Sequence, residues 1–214
     1  MINCPVPIYI INLEKRVDRK NEVANEIEKI FYKSNQEITF VNALPTPRNG
    51  AIGCSSSHAY ALSRFLFETD APACIILEDD FLCNDNNYFI EVLTSCLEII
   101  DEWDVALLAH NVAFKRKATT KSNLFKILNS QTASAYIVNR KYAPNLIKLF
   151  FDSAYLLNAA IGEINNIESK YFYSLDMLWK NEQIHNNFIA CFPPCSIQRE
   201  SFSNIEEKKV NYKV

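Results

Sequence analysis

Glycine is almost missing from this sequence. There are three in 214 residues, at positions 50, 53 and 162, so each marks a position to inspect. No apolar run approaches the roughly 18 residues of a membrane-spanning helix. The N-terminus, Met-Ile-Asn-Cys-Pro-Val-Pro, has neither a basic stretch nor a long apolar stretch, so no signal peptide is read there. No basic excess exists either: the net charge is −3, which argues against a nucleic-acid partner. The seven cysteines are odd in number and contain no CxxC pair, which argues against a structural zinc site. Several lie in apolar runs as small hydrophobes and read as reduced, intracellular thiols, so the expected location is the cytoplasm. Three histidines are too few for a metal phosphoesterase built on His and Asp ligands. Internal repeats and low-complexity segments are also absent.

What is present is ordinary for a globular chain: 49% apolar and 22% charged residues, enough for one domain with a good core. Ile8 to Leu13 reads as a buried first strand. A charged loop follows, with Asp18 placed to cap a helix that carries Val23, Ile27, Ile30 and Phe31 on one face. Ile38 to Leu44 is a second strand, and Pro45 to Gly50 a rigid turn. Ile52 to His58 opens the next helix, capped by one of its serines, with His58, Leu62, Phe65 and Leu66 on one stripe. A helix from about Asn87 to Ile100, a strand from Trp103 to Ala109, a basic loop from Lys115 to Lys121, a strand from Thr132 to Val138 and a helix from Pro144 to Phe151 follow. Past Gly162 the pattern weakens. Leu175 starts a short helix, Phe188 to Phe192 is a last strand, and the tail from Glu206 is charged and frayed. Strands alternating with helices predict an α/β/α sandwich with a mostly parallel central sheet.

The most informative stretch is Cys74-Ile75-Ile76-Leu77-Glu78-Asp79-Asp80, a buried central strand that runs into three carboxylates. Alternation along a strand tends to place Glu78 and Asp80 on one side and Asp79 on the other. Packed carboxylates repel unless a cation sits among them, and oxygen ligands suit Mg²⁺ or Mn²⁺. The competing reading is a solvated acidic turn.

Four blocks resemble glycosyltransferase family 25, which includes bacterial lipooligosaccharide galactosyltransferases and collagen galactosyltransferase domains. They are Ile10-Ile11-Asn12-Leu13 with Arg16, Asp18 and Arg19; Gly53-Cys54 with Ser57-His58; Leu77-Glu78-Asp79-Asp80; and Ala135-Tyr136-Ile137-Val138. Leu175-Asp176, Pro194, Gln198 and Ser203-Asn204-Ile205 add weaker likeness, with Asn204 where the family usually has Asp. The ordered set spans nearly the whole chain.

The resemblance implies a GT-A fold. About 1–110 would form the Rossmann-like, nucleotide-sugar-binding half and about 111–205 the acceptor-binding half, with 206–214 as tail. It implies transfer of a hexose, galactose first, from a UDP-sugar to a glycan, lipooligosaccharide or protein-linked hydroxyl, with inversion and a divalent metal, Mn²⁺ or Mg²⁺. A membrane-bound acceptor would be met from the surface. Asp80 and Glu78 are the expected metal ligands, with Asp79, Asn12, Leu13, Arg16, Arg19, Gly53, Ser57 and His58 on the donor. Arg16 and Arg19 suit a diphosphate, against the alternative of a solvated loop. Gly53 at a capped helix start would offer backbone N–H groups to an anion. His58 either faces the donor or is a buried, hydrogen-bonded histidine. Asp176 is the candidate base, against the alternative of an N-cap, and Glu163 stands second. Trp179 either stacks on a sugar or belongs to the core. The alternative function is a catalytically silent member that binds sugar or a partner protein.

Overall fold

The computed structural model describes residues 6–199 apart from 33, 48, 112–113 and 117–118, together with the backbones of 201–203 and 208–210. Asn204 and Glu206 lie outside the described residues. In chain order the first elements are β1 (Ile8–Asn12), α1 (Val17–Ile30), β2 (Ile38–Asn42), α2 (Gly50–Glu68), β3 (Ala73–Glu78), β4 (Phe81–Cys83) and α3 (Asn86–Glu98). Then come β5 (Val105–Leu107), β6 (Phe114–Arg116), β7 (Leu124–Asn129), β8 (Ala135–Asn139), α4 (Ala143–Ala159), α5 (Asn166–Tyr173) and α6 (Leu175–His185). The chain closes through β9 (Phe188–Cys191), β10 (Ser196–Gln198), β11 (Ser201–Ser203) and β12 (Lys208–Val210).

One sheet runs in the order β2-β1-β3-β8-β5-β9-β7-β6. β2, β1 and β3 pair in parallel, and β9 pairs in parallel with β5. β8 sits antiparallel between β3 and β5, and β7 antiparallel between β9 and β6. All of these strands except β8 and β7 therefore point one way, and the sheet is mostly parallel.

The layers follow from the two-residue period of a strand. Ile8, Ile10, Ile75 and Leu77 pack with Val23 and Ile27 of α1 and with Phe89, Val92 and Leu93 of α3. Tyr9, Ile11, Cys74 and Ile76 pack with Leu62 and Phe65 of α2, Phe150 of α4 and Trp179 of α6. Both faces are covered, which is why β1 and β3 run apolar without alternation up to their last residues, Asn12 and Glu78.

Several local expectations are corrected. α1 begins at Val17, so Asp18 lies inside its first turn and caps nothing; Arg16 holds the cap position without a side-chain cap bond. α2 is capped by Asn49, whose side chain accepts from the Ala51 N–H, and not by a serine. Gly53 therefore sits inside α2, not at an open helix start. Its N–H is taken by Thr46 Oγ1 at 2.9 Å, and a Cβ there would lie 2.1 Å from the Leu44 carbonyl oxygen. Glycine is needed here because the chain before α2 crosses the helix at backbone distance. Part of the basic segment, Lys115 and Arg116, belongs to edge strand β6 rather than to a loop. α4 runs well past Phe151, and α5 fills the stretch where the sequence pattern weakened. Trp179 is core: it is fully buried and donates its Nε1–H to the Ser130 carbonyl at 3.1 Å.

Candidate active site

β3 delivers the three acids to its carboxyl end, and the strand period separates them. Glu78 continues the face of Cys74 and Ile76 toward α2, while Asp79 continues the face of Leu77 toward α1. Asp80 follows in the turn to β4. Antiparallel pairing of β10 with β4 lays Gln198 opposite Phe81, so Gln198 Nε2 donates to Asp80 Oδ2 at 3.1 Å. The Arg199 N–H also donates to the Asp80 carbonyl oxygen, at 2.6 Å.

On the α1 side every acceptor is used. Arg19 Nη1 donates to Asp79 Oδ1 at 2.7 Å, and Asn12 Nδ2 donates to Asp79 Oδ2 at 2.8 Å. All three side chains are buried. Arg19 also stands 3.7 Å from Asp80 Oδ2. Its charge is therefore spent on the acids of the turn. Arg16 pairs with Asp18 at 2.8 Å, and its hydrogen bonds hold that carboxyl down to about 2. Leu13 lies half-buried in the turn after β1, its carbonyl accepting the Arg16 N–H at 2.7 Å.

On the α2 side, Glu78 Oε1 lies 3.0 Å from His58 Nε2, and His58 Nδ1 lies 3.0 Å from the Tyr136 hydroxyl. His58 is fully buried, so the two readings of this residue merge: it is a hydrogen-bonded core histidine whose partner is an acid of the triplet. Cys54, one turn earlier on α2, places Sγ 3.8 Å from the same oxygen. Burial is the largest single influence and raises the Glu78 carboxyl, but the His58 hydrogen bond and charge, the Arg19 charge and the Cys54 hydrogen bond together outweigh it, and the net direction is downward. Asp80 goes the other way. Burial first, then the charges of Glu78 and Asp79, push it up to about 8 against the pull of Arg19. Ser57 takes no part here, because its hydroxyl donates to the Gly53 carbonyl and accepts the Leu44 N–H.

A cavity of about 390 Å³ opens beside this turn. Cys54, Ser55 and Glu78 border it from one side; Thr132, Lys170, Tyr171 and Asp176 border it from the other. Asp176 stands in the first turn of α6, whose cap position belongs to Ser174. Its Oδ2 accepts the Thr132 N–H at 3.2 Å, so it ties α6 to the β7–β8 connection and does not cap its own helix. Thr132 is the described non-glycine residue with positive φ, 80°, a backbone state that costs about 1–3 kcal/mol and clusters at functional sites. Glu163 is exposed on the turn after α4 and does not border the cavity.

Of the candidate residues, the structure brings Glu78 and Asp176 to one cavity, with His58 buried behind Glu78 and Asp80 reached through its hydrogen bond from Gln198, which also borders the cavity. Asn12, Arg19 and Asp79 lie behind it, while Arg16, Ser57 and Gly53 are tied up locally. Sequence reasoning missed the β7–β8 connection, Gln198 as a partner of Asp80, and Tyr136 behind His58. Tyr136 had one signal, a hydroxyl in a run of otherwise apolar residues.

The donor set fits a hard divalent cation. Glu78 and Asp80 offer carboxylate oxygens, and Asp80 Oδ1 is buried with no hydrogen-bond partner among the described residues.

Comparison with known proteins bears on the family and the fold. The model of glycosyltransferase family 25, described as an LPS biosynthesis protein family, matches residues 48–163, over half of the chain. No curated protein sequence matches. Among solved structures, a glycosyltransferase involved in glycosylation of the major capsid of PBCV-1 is similar, with a TM-score of 0.56 at 12% identity over 94% of this chain and 96% of that one. A Drosophila β-1,4-galactosyltransferase 7 mutant in complex with manganese, UDP-Gal and xylobiose reaches a TM-score of 0.49 at 9% identity, covering 98% of this chain and 76% of that one. With the GT-A sandwich in place and the family model matching over half of its length, this chain belongs to glycosyltransferase family 25 and is a glycosyltransferase.

Proposed function

We propose that the chain transfers a hexose, galactose first, from a UDP-sugar to a hydroxyl of a glycan or lipooligosaccharide acceptor, with inversion. In this reading 1–110 handle the nucleotide sugar and 111–205 the acceptor, in the cytoplasm and against a membrane surface where the acceptor is lipid-linked. The observation that carries it is the cavity bordered by Glu78 on one side and Asp176 on the other. Inversion by direct displacement needs one acid for the acceptor proton, apart from the acids that serve the donor.

Glu78 and Asp80 would hold a divalent cation, Mn²⁺ or Mg²⁺, through carboxylate oxygens. When bound, such a cation offsets the charge that grows on the departing diphosphate. Asp79, Asn12 and Arg19 fix the turn that aims those two acids. His58 holds Glu78 Oε1, and Tyr136 holds His58. Asp176 accepts the acceptor-hydroxyl proton, its orientation set by the Thr132 N–H; Glu163 stands second for that role. Lys170 and Tyr171 border the acceptor side.

The test is UDP release across a panel of nucleotide sugars. UDP-galactose with Mn²⁺ should give turnover that EDTA abolishes. Preference for a non-uridine donor overturns the donor assignment. Full activity in EDTA overturns the metal assignment. Silence with every donor, despite tight UDP binding, favours the sugar-binding alternative.

A further inference from the structure

Cys54, His58 and Glu78 bring a thiol sulfur, an imidazole nitrogen and a carboxylate oxygen within 4.8 Å of one another. The two measured edges are 3.0 Å from Nε2 to Oε1 and 3.8 Å from Sγ to Oε1. A tetrahedral ion with bonds of about 2.0–2.1 Å to N and O and about 2.3 Å to S sets its ligands about 3.3–3.6 Å apart, within about 0.3 Å of both edges. The cluster is therefore close to a ligand triangle as it stands. We propose that these three residues form a second cation site, selective for a thiophilic divalent ion of the Zn²⁺ class, which shares Glu78 with the Glu78–Asp80 carboxylate pair and differs from it in the Cys54 and His58 donors.

Three further features agree. Cys54 and Glu78 both border the cavity, which gives an entry path and an open fourth position for water. The site has an outer ligand: His58 Nδ1 is 3.0 Å from the Tyr136 hydroxyl, which can donate or accept. With Nε2 on the ion, the ring proton moves to Nδ1 and the Tyr136 oxygen accepts it, while the Cys54 thiol proton leaves to solvent. The donor chemistry also sorts the ions. A thiolate and an imidazole favour Zn²⁺ or Co²⁺ over Mn²⁺, whereas carboxylates alone suit Mn²⁺ and Mg²⁺. Glu78 belongs to both sets, so the two ions compete for it.

The test uses Co²⁺ alone as the probe, titrated into the whole, metal-stripped chain under reducing conditions. The proposal predicts a near-ultraviolet thiolate-to-cobalt charge-transfer band that saturates at one ion per chain. Cys54→Ser should remove the band. Asp80→Asn should keep it, because the carboxylate pair is not its source. Tyr136→Phe should keep it but weaken Co²⁺ affinity about 10–100-fold, the usual scale for losing an outer partner of a ligating histidine. A wild-type titration with no band overturns the site. So does a band that survives Cys54→Ser, which would place the ion on another thiol, or one that disappears in Asp80→Asn. The readout is binding, so it stands whether or not the chain transfers sugar from UDP.

Discussion

The two sides of the Glu78–Asp80 turn have the same raw material and opposite outcomes. Facing α1, Asp79 has both oxygens met by Arg19 and Asn12 in a buried pair. Away from α1, Glu78 borders the cavity and its carboxyl is drawn down by His58 among others, while Asp80 beside it keeps a buried oxygen with no partner among the described residues and is raised toward neutrality. The difference teaches where the work is done. A satisfied buried ion pair holds shape, and an unsatisfied carboxylate beside a charged one is a place for a cation or a proton.

That division breaks most visibly on the cavity side. Asp80→Ala should lower turnover by at least about 10³-fold, near the upper end of what losing one electrostatic group costs, with the melting point little changed. Full activity would move the cation elsewhere. On the α1 side, Asp79→Asn should act on stability first. Removing one partner of a buried pair leaves Arg19 underpaired and costs about 3–5 kcal/mol, which a denaturant titration reads directly. A stable Asp79→Asn chain that has lost all activity would erase the distinction between the two sides.

Gly53→Ala sharpens the comparison from behind the cavity. The added Cβ meets a backbone oxygen at 2.1 Å, so α2 must shift away from Leu44 and carry Cys54 and His58 with it. A loss of about 1–3 kcal/mol is expected in the same titration. Unchanged stability would mean that α2 is less firmly seated than the contact implies.

The smallest effect comes from pH. Asp80 has a folded-state value near 8, well above its unfolded range, so the folded chain binds the extra proton between the two. Its contribution is intact below about pH 4 and is lost as pH rises through about 8. Without metal, Asp80→Asn should therefore melt above wild type at pH 9, by about 2–4 °C for each kcal/mol of that contribution in a domain of this size, and the gap should close on acidification. A gap that widens toward acid would reverse the sign.

The α1 side and the first strands were the most legible part of the sequence. Uninterrupted apolar runs at Ile8–Ile11 and Cys74–Leu77 announced doubly covered parallel strands, and three acids at a strand exit pointed to the turn beside the cavity. The cap residues of α1 and α2 were misread because capping depends on where a helix starts: α1 starts at Val17, ahead of Asp18, and α2 at Gly50, ahead of its serines. β7 escaped because its partners lie far along the chain. Strand β7 relies on β9, and the connection after it is tied by Gln183, Trp179 and Asp176 from a helix more than 40 positions on. Arg19 had the right type for a diphosphate, but the acids nearest to it are those of its own chain.

The central claim is that Asp176 performs the proton transfer across the cavity from the acids that serve the donor. The direct measurement is UDP affinity and turnover in parallel for Asp176→Asn. The account predicts UDP affinity unchanged within a few-fold and turnover lower by about 10²–10⁴-fold, the scale of a lost general base. Turnover that survives the substitution, or UDP affinity that collapses along with it, would contradict the account and return Asp176 to a structural tie on Thr132.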